Sequence, residues 1–299
     1  MKEKQATTVE KQIEKLRSRG MNIEDEVKAK ETLLDIGYFR LGFYWFPFEA
    51  TFPRKRHRNH LLKENTRLED TVKLYYFDFD LRNILLRYIS RVEINFRTTL
   101  IYQASNKYVE NPFWYVDSTY INQSFLESPQ YKKAITDANK ELVIKNDLRK
   151  YQHKHAPAWK VLEFMSFGSI IQLYSNLKDG GLKHKIAKHY GMGGSCQFTN
   201  YLNTTRRLRN CCAHGKVLFD LSLPEAISNG PIGNLGNKKT MLAGAYEVLS
   251  YLLGRVSSNR KKEMDTELKE SFLRVESEKV KQIIMDCSGF PKKKLFFNI

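Results

Sequence analysis

Cysteine is scarce and poorly placed for crosslinking: four in 299 residues, at 196, 211, 212 and 287, two of them adjacent and none in a C-x-x-C pair. That spacing suits neither a disulfide framework nor a zinc knuckle, so reduced, mostly buried thiols of a cytoplasmic protein are expected. A long apolar run is equally absent, since nothing approaches the roughly 18 consecutive apolar residues of a membrane span. The opening "MKEKQATTVEKQIEKLRSRG" is charged throughout and lacks the apolar stretch of a signal peptide. No membrane association is expected. No segment alternates apolar and polar residues as a half-buried strand does, and there is neither an internal repeat nor a low-complexity block. Acidic residues are the last shortage: 33 Asp and Glu face 50 Lys and Arg, a net charge of +17 with histidine neutral. Such an excess implies an acidic partner, most commonly nucleic acid.

What is present is helical patterning over a composition 41% hydrophobic and 12% aromatic, ample for a packed core. Two short charged segments, 7–19 and 22–36, stop at Gly20 and Gly37 and lead into the irregular, aromatic "GYFRLGFYWFPFEATFPRKRHRNH". Thr66 and Glu69 have the spacing of a capping box. Behind them, Leu85, Ile89, Val92, Phe96 and Leu100 recur at helical spacing in a stretch free of proline and glycine from 66 to 105. Further helices are predicted over about 129–151, from Pro157, over "LKHKIAKHYG", over 197–214, over "TMLAGAYEVLSYLLGRV" and over about 259–285. The fold class is all-α. Residues 1–64 read as an N-terminal helical arm with a basic loop and 65–299 as a helical domain, together one globular unit because no flexible linker divides them.

Residues 206–215, "RRLRNCCAHG", place polar groups at the end of an apolar helix. Phe198, Tyr201, Leu202 and Leu208 mark its core face, Gly215 is a natural stop, and His214 falls in the last turn. Arg209 and His214 are about 140° apart around an ideal helix. Joint action on one phosphate therefore requires a distorted last turn or a second copy of the chain. Metal-free RNA cleavage needs a base for the 2′-OH and an acid for the leaving 5′-oxygen, both within the reach of histidine. A guanidinium suits the charge that builds on the phosphorane oxygens. The competing reading is a satisfied helix C-terminus, and the spacing alone does not choose between them.

The motif gains meaning from its surroundings. "RNCCAH" resembles the R-N-x-x-x-H form of the HEPN ribonuclease motif. The stretches "LLDIGYFRLGFYWFPFE", "FDFDLRNILLRYISRVEINFRTTL", "PAWKVLEFMSFGSIIQLYSNL" and "RLRNCCAHG" with Phe219 and Asp220 resemble the Abi-like family of bacterial abortive-infection proteins, the AbiD and AbiF group. The resemblance spans most of residues 30–220, and the tail "GFPKKKLF" fits it. It implies a HEPN-type helical bundle acting as a metal-independent endoribonuclease without a cofactor, paired as a homodimer with the motif helices facing each other. It also implies an anti-phage effector or toxin, silent until triggered. Arg209 and His214 carry over as catalytic residues and Asn210 as support.

Other residues complete the expected site. Glu93 and Arg97 lie one turn apart, either as an ordinary ion pair on a solvated face or with Glu93 reaching the Arg209 guanidinium to orient it. Arg206 and Arg207 are candidates for gripping flanking phosphates. The loop residues Arg54, Lys55, Arg56 and Arg58 and the tail residues Lys292, Lys293 and Lys294 are expected to contact RNA. Nearby Tyr44, Trp45, Phe296 and Phe297 read better as a core cluster than as stacking platforms. His153 and His155 lack a carboxylate or thiol partner at ligand spacing and read as loop histidines, so no metal site is expected. Two other functions compete: an RNA-binding protein that does not cut, and a HEPN toxin silenced by a partner nucleotidyltransferase. A chain lethal when active needs restraint, and the charge favours a structured small RNA as antitoxin.

Overall fold

The computed structural model describes residues 5–291, and its regular structure is almost wholly helical. In chain order the helices are α1 (Val9–Ser18), α2 (Glu26–Asp35), α3 (Tyr38–Trp45), α4 (Leu68–Lys107), α5 (Gln123–Leu126), α6 (Pro129–Ala138) and α7 (Leu142–Tyr151). There follow α8 (Ala158–Val161), α9 (Phe167–Ser175), α10 (Gly180–His189), α11 (Ser195–Ala213), α12 (Leu242–Val256), α13 (Ser258–Leu273) and α14 (Glu278–Ser288). The described strands are β1 (Met21–Asn22) and β2 (Thr66–Arg67), paired in parallel with Met21 opposite Thr66. The fold is all-α, as the periodicity predicts. No helix among the described residues is long and apolar enough to cross a membrane.

Four predicted elements differ from the sequence reading. The stretch from Gly37, read as an irregular connection, opens with the helix α3, whose Leu41, Tyr44 and Trp45 are buried. The segment 129–151 is two helices, α6 and α7, and 259–285 is likewise split between α13 and α14. The second break has a local cause, because Ser277 accepts from the Val280 N–H and caps a new helix. The capping box at Thr66 does not form. Its hydroxyl donates to the Lys63 carbonyl at 2.6 Å while its backbone joins the strand pair, and the helix begins only at Leu68.

The chain divides into two compact units. Among the described residues the first gathers 5–83, 215–221 and 267–291. In it Ile13 and Leu16 of α1, Ala29 and Leu33 of α2, and Leu41 and Trp45 of α3 bury one cluster with Met21 and Leu68. A second feature is polar. Asp78 has no exposed surface, yet it accepts from the backbone N–H groups of Leu218 (3.0 Å) and Phe219 (2.7 Å), from the Tyr44 hydroxyl (3.0 Å) and from Arg82 (2.6 Å). Arg82 also donates to the Lys216 carbonyl, and Arg40 donates to that of Gly215. Burial pushes the Asp78 carboxyl up, and the Arg82 charge and these donors pull against it. Every turn of the segment 215–219 is thereby held by side chains from the same unit.

The basic loop of this unit is also folded around a carboxylate. Glu49 is buried, takes two hydrogen bonds from Arg58 and one from His60, and pairs its backbone with Leu62. Burial raises the Glu49 carboxyl, but the Arg58 and His60 bonds outweigh it and hold it below the ordinary range.

The second unit, residues 84–214 and 222–266, is built on α11, against which α9, α10 and α12 all pack. Phe96 of α4 is its hub, with ring centroids of Phe198, Tyr174, Phe167 and Tyr190 at 5.5 to 6.4 Å. Ten residues of α12 are buried. Gly244 is one of them, and a Cβ there would lie 2.1 Å from the Lys238 carbonyl oxygen, a contact only glycine permits.

Two outcomes follow from the two buried carboxylates. Asp78→Ala strands Arg82 and two backbone N–H groups, and chemical denaturation is expected to show a loss of about 3–5 kcal/mol. Glu49 has a depressed folded-state pKa, so its contribution is full above the ordinary carboxylate value and is lost as pH falls through the folded value. The stability gap between the wild type and Glu49→Gln is therefore expected to close as urea titrations move from pH 7 to below about 4.

Candidate functional site

The α11 stripe explains where its polar residues emerge. Phe198, Tyr201, Leu202, Thr205, Leu208 and Cys212 are buried, at three- and four-residue spacing. Arg209 borders that stripe and keeps 40% of its side chain exposed, whereas His214 lies on the opposite side and is exposed. His214 is the C-cap, its N–H bonded to the Asn210 carbonyl at 3.1 Å, and Gly215 follows at φ +61°, the left-handed turn that ends the helix. His214 itself departs from helical backbone angles, at φ −96° and ψ 13°. Its imidazole makes no hydrogen bond or ion pair among the described residues. No hydrogen bond or ion pair joins Arg209 to His214 among the described residues.

Arg209 is met by Glu93 of α4, with Nε 3.8 Å from Oε2. The other carboxylate oxygen of Glu93 accepts from Arg97 at 3.1 Å, and Arg97 in turn donates to the Met165 carbonyl at 2.9 Å. The Glu93–Arg97 pair is not on a solvated face: their side chains are 16% and 12% exposed. Both Nη groups of Arg209 are left without a partner among the described residues, oriented by the carboxylate behind them. Such a guanidinium is suited to a bidentate contact with a phosphate.

Arg206, one turn earlier, is half-buried and donates to Asn203 at 3.3 Å. Burial, and secondarily the Arg207 charge, lower its pKa. It lies along Gly168 so closely that a Cβ there would sit 3.3 Å from its Cδ. Arg207 turns instead to Glu225 at 3.1 Å. Asn210 is partly buried, and its carbonyl serves the helix end.

The expected RNA-contacting loop is divided in its roles. Arg54 and Arg56 are exposed and Lys55 lies 3.9 Å from Asp220, but Arg58 is committed to Glu49 and packs over the Phe46 ring at 4.3 Å. Tyr44 and Trp45 are buried in the first unit's core, as the cluster reading has it. Lys292, Lys293, Lys294, Phe296 and Phe297 lie outside the described residues. His153 and His155 are in the turn after α7, and no group of three or more His, Cys, Asp or Glu among the described residues is arranged to hold a metal ion. None of the four cysteines is in a disulfide.

Sequence reasoning missed Arg97 as the link between Glu93 and the Met165 carbonyl, and it missed the apposition of Arg206 to Gly168. The first had a signal in the i,i+4 spacing of two charges next to Phe96; the second is a contact between helices that spacing along the chain does not reveal.

No match is found among curated proteins or among solved structures. The family model described as Abi-like protein matches residues 31–220, which include Glu93, Arg97, Arg206, Arg209 and His214. A match over more than half of the sequence, reaching from α2 to the segment beyond α11, shows that the chain belongs to the Abi-like protein family.

Proposed function

We propose that this chain is a metal-independent endoribonuclease of the HEPN kind, serving abortive infection as an anti-phage effector or toxin. The observation that carries the reading is Arg209. Its guanidinium is backed by Glu93, and its outer nitrogens lack partners among the described residues, five residues before an exposed histidine in "RNCCAH". The nucleophile is the 2′-hydroxyl of the RNA. His214 moves its proton or supplies one to the leaving 5′-oxygen, and Arg209 neutralises the charge on the phosphorane oxygens. Asn210 supports the helix end through its carbonyl, and Arg206 grips a flanking phosphate.

One chain offers one histidine, whereas the reaction needs a base and an acid. Two copies related by a twofold axis supply the missing partner. The active form is therefore a homodimer with Arg209 and His214 of both protomers around one RNA. The family name accords with abortive infection. A structured small RNA is a fitting restraint for a protein of net charge +17.

Purified protein incubated with total RNA in EDTA is expected to yield 2′,3′-cyclic phosphate and 5′-hydroxyl ends, and strict dependence on added magnesium would overturn the acid–base assignment. His214→Ala abolishes cleavage and toxicity and keeps RNA binding nearly intact. A heterodimer of wild type with His214→Ala retains well under half of the activity; half or more would assign both proton transfers to one chain. Binding without cutting by the wild type would leave an RNA-binding protein in place of an enzyme. The loop Arg54, Lys55 and Arg56, neutralised together, flattens the slope of log affinity against log salt by up to about three. Arg58 is left out of that set because its guanidinium holds Glu49.

A further inference from the structure

Beside the Arg209 cluster the second unit opens a trough of about 350 Å³ between α6 and the segment that leads into α9. Phe164 lines it with 44% of its surface exposed, and Gln130, Ser166 and Ser169 supply an amide and two hydroxyls. The two serine hydroxyls are 2.9 Å apart, and Lys133 is held by Asp137 at the far side. The volume lies in the range of small-molecule sites, and the lining is one half-exposed aromatic ring with a few polar groups.

The trough is joined to the candidate site on two sides. Its floor residue Met165 offers the carbonyl that Arg97 binds, so Met165, Arg97, Glu93 and Arg209 form one chain of contacts at 2.9, 3.1 and 3.8 Å. Its rim residue Ser166 meets Arg206 across Gly168: a Cβ on that glycine would stand 3.8 Å from the Ser166 hydroxyl and 3.9 Å from Arg206 Nη1. With glycine at 168, the Arg206 stem passes within 3.3 Å of where a Cβ would stand. Arg206 has no carboxylate partner among the described residues, and its hydrogen bond goes to the Asn203 amide oxygen.

We propose that this trough is a nucleobase subsite for single-stranded RNA, lying next to the cleaved bond. A phosphate of the strand rests on Arg206, and the attached base turns into the trough. It stacks on Phe164 and is read at its hydrogen-bonding edge by Gln130 and the Ser166–Ser169 hydroxyl pair. Single-stranded RNA is recognised in this manner, by unstacked bases laid on aromatic rings and hydrogen-bonded along their edges. Cutting is then biased toward one base at one flanking position. The proposal rests on the ribonuclease reading for the placement of the strand, and its test is designed to separate the two.

The His214→Ala chain is titrated with a panel of short, fluorescently labelled RNA oligonucleotides that differ at one position, alone and combined with Phe164→Ala, Phe164→Tyr or Gln130→Ala. Phe164→Ala is expected to weaken the preferred oligonucleotide about tenfold, the order supplied by one base–aromatic stack. Gln130→Ala is expected to level the preference among bases, and Phe164→Tyr, which keeps the ring, to retain the affinity that Phe164→Ala loses. Sequenced ends from cleavage by the otherwise wild-type chain should show the same bias, lost in Phe164→Ala. Equal affinities with and without the Phe164 ring, or a preference that Gln130→Ala does not touch, overturn the subsite. Cleavage without any Phe164-dependent bias overturns it while the ribonuclease reading stands. Phe164-dependent base preference in a chain that never cuts keeps the subsite and removes the ribonuclease. No RNA binding at all removes both.

Discussion

A carboxylate removed from water is tolerable only if its surroundings replace what water supplied, and much of the first unit is arranged to meet that demand for Asp78. Two backbone N–H groups, a phenol and a guanidinium converge on it. None of these donors is available by default. Tyr44 must be carried by α3, Arg82 must follow one turn later on α4, and the chain beyond α11 must pass with Leu218 and Phe219 pointing their amides inward. The carboxylate therefore dictates the path of residues 215–219 more strictly than apolar contact does, because an apolar surface accepts many neighbours and a buried charge accepts few.

The second unit solves a different problem by packing. Phe96 sits among rings from α9, α10's end and α11, so the side of α4 that bears Glu93 is fixed against the side of α11 that bears Arg209. Arg209 is the residue at which the apolar stripe of α11 meets solvent. A guanidinium at that border keeps its stem packed and its head accessible, and a carboxylate behind it sets its direction. Order here comes from shape, and polarity is spent at the edge.

How far the sequence discloses these arrangements depends on the range of the interaction. The α11 stripe from Phe198 to Leu208, the stop at Gly215 and the core face of α4 are all periodic along the chain and were readable from it. The pairing of Glu93 with Arg97 was readable as spacing, but not its burial. Thr66 misled because its hydroxyl had two candidate partners, and the pairing of β2 with Met21, forty-five residues away, decided for Lys63. Asp78 and Arg82 stood in plain view in "FDFDLR", with Asp78 in phase with the core positions Leu74, Leu81 and Leu85. A charge on a core face is the signal that such a centre leaves in the sequence. The trough at Phe164 had no signal of its own, since α6 and the approach to α9 meet only in space.

The first unit is discontinuous, being made of three separated stretches of chain, and this has a consequence for synthesis. Asp78 and its amide partner Leu218 are separated by 140 residues. At about 5–20 residues per second, Asp78 waits on the order of ten seconds for the donors that will neutralise it. During that interval everything from residue 84 to 214 is already available to fold, while the earlier N-terminal helices hold an unfinished polar centre. The last stretch, beginning at residue 267, arrives later still. The surroundings of Asp78 are thus completed only after residues 84–214 have been made, and their order is set by the emergence of a few backbone amides.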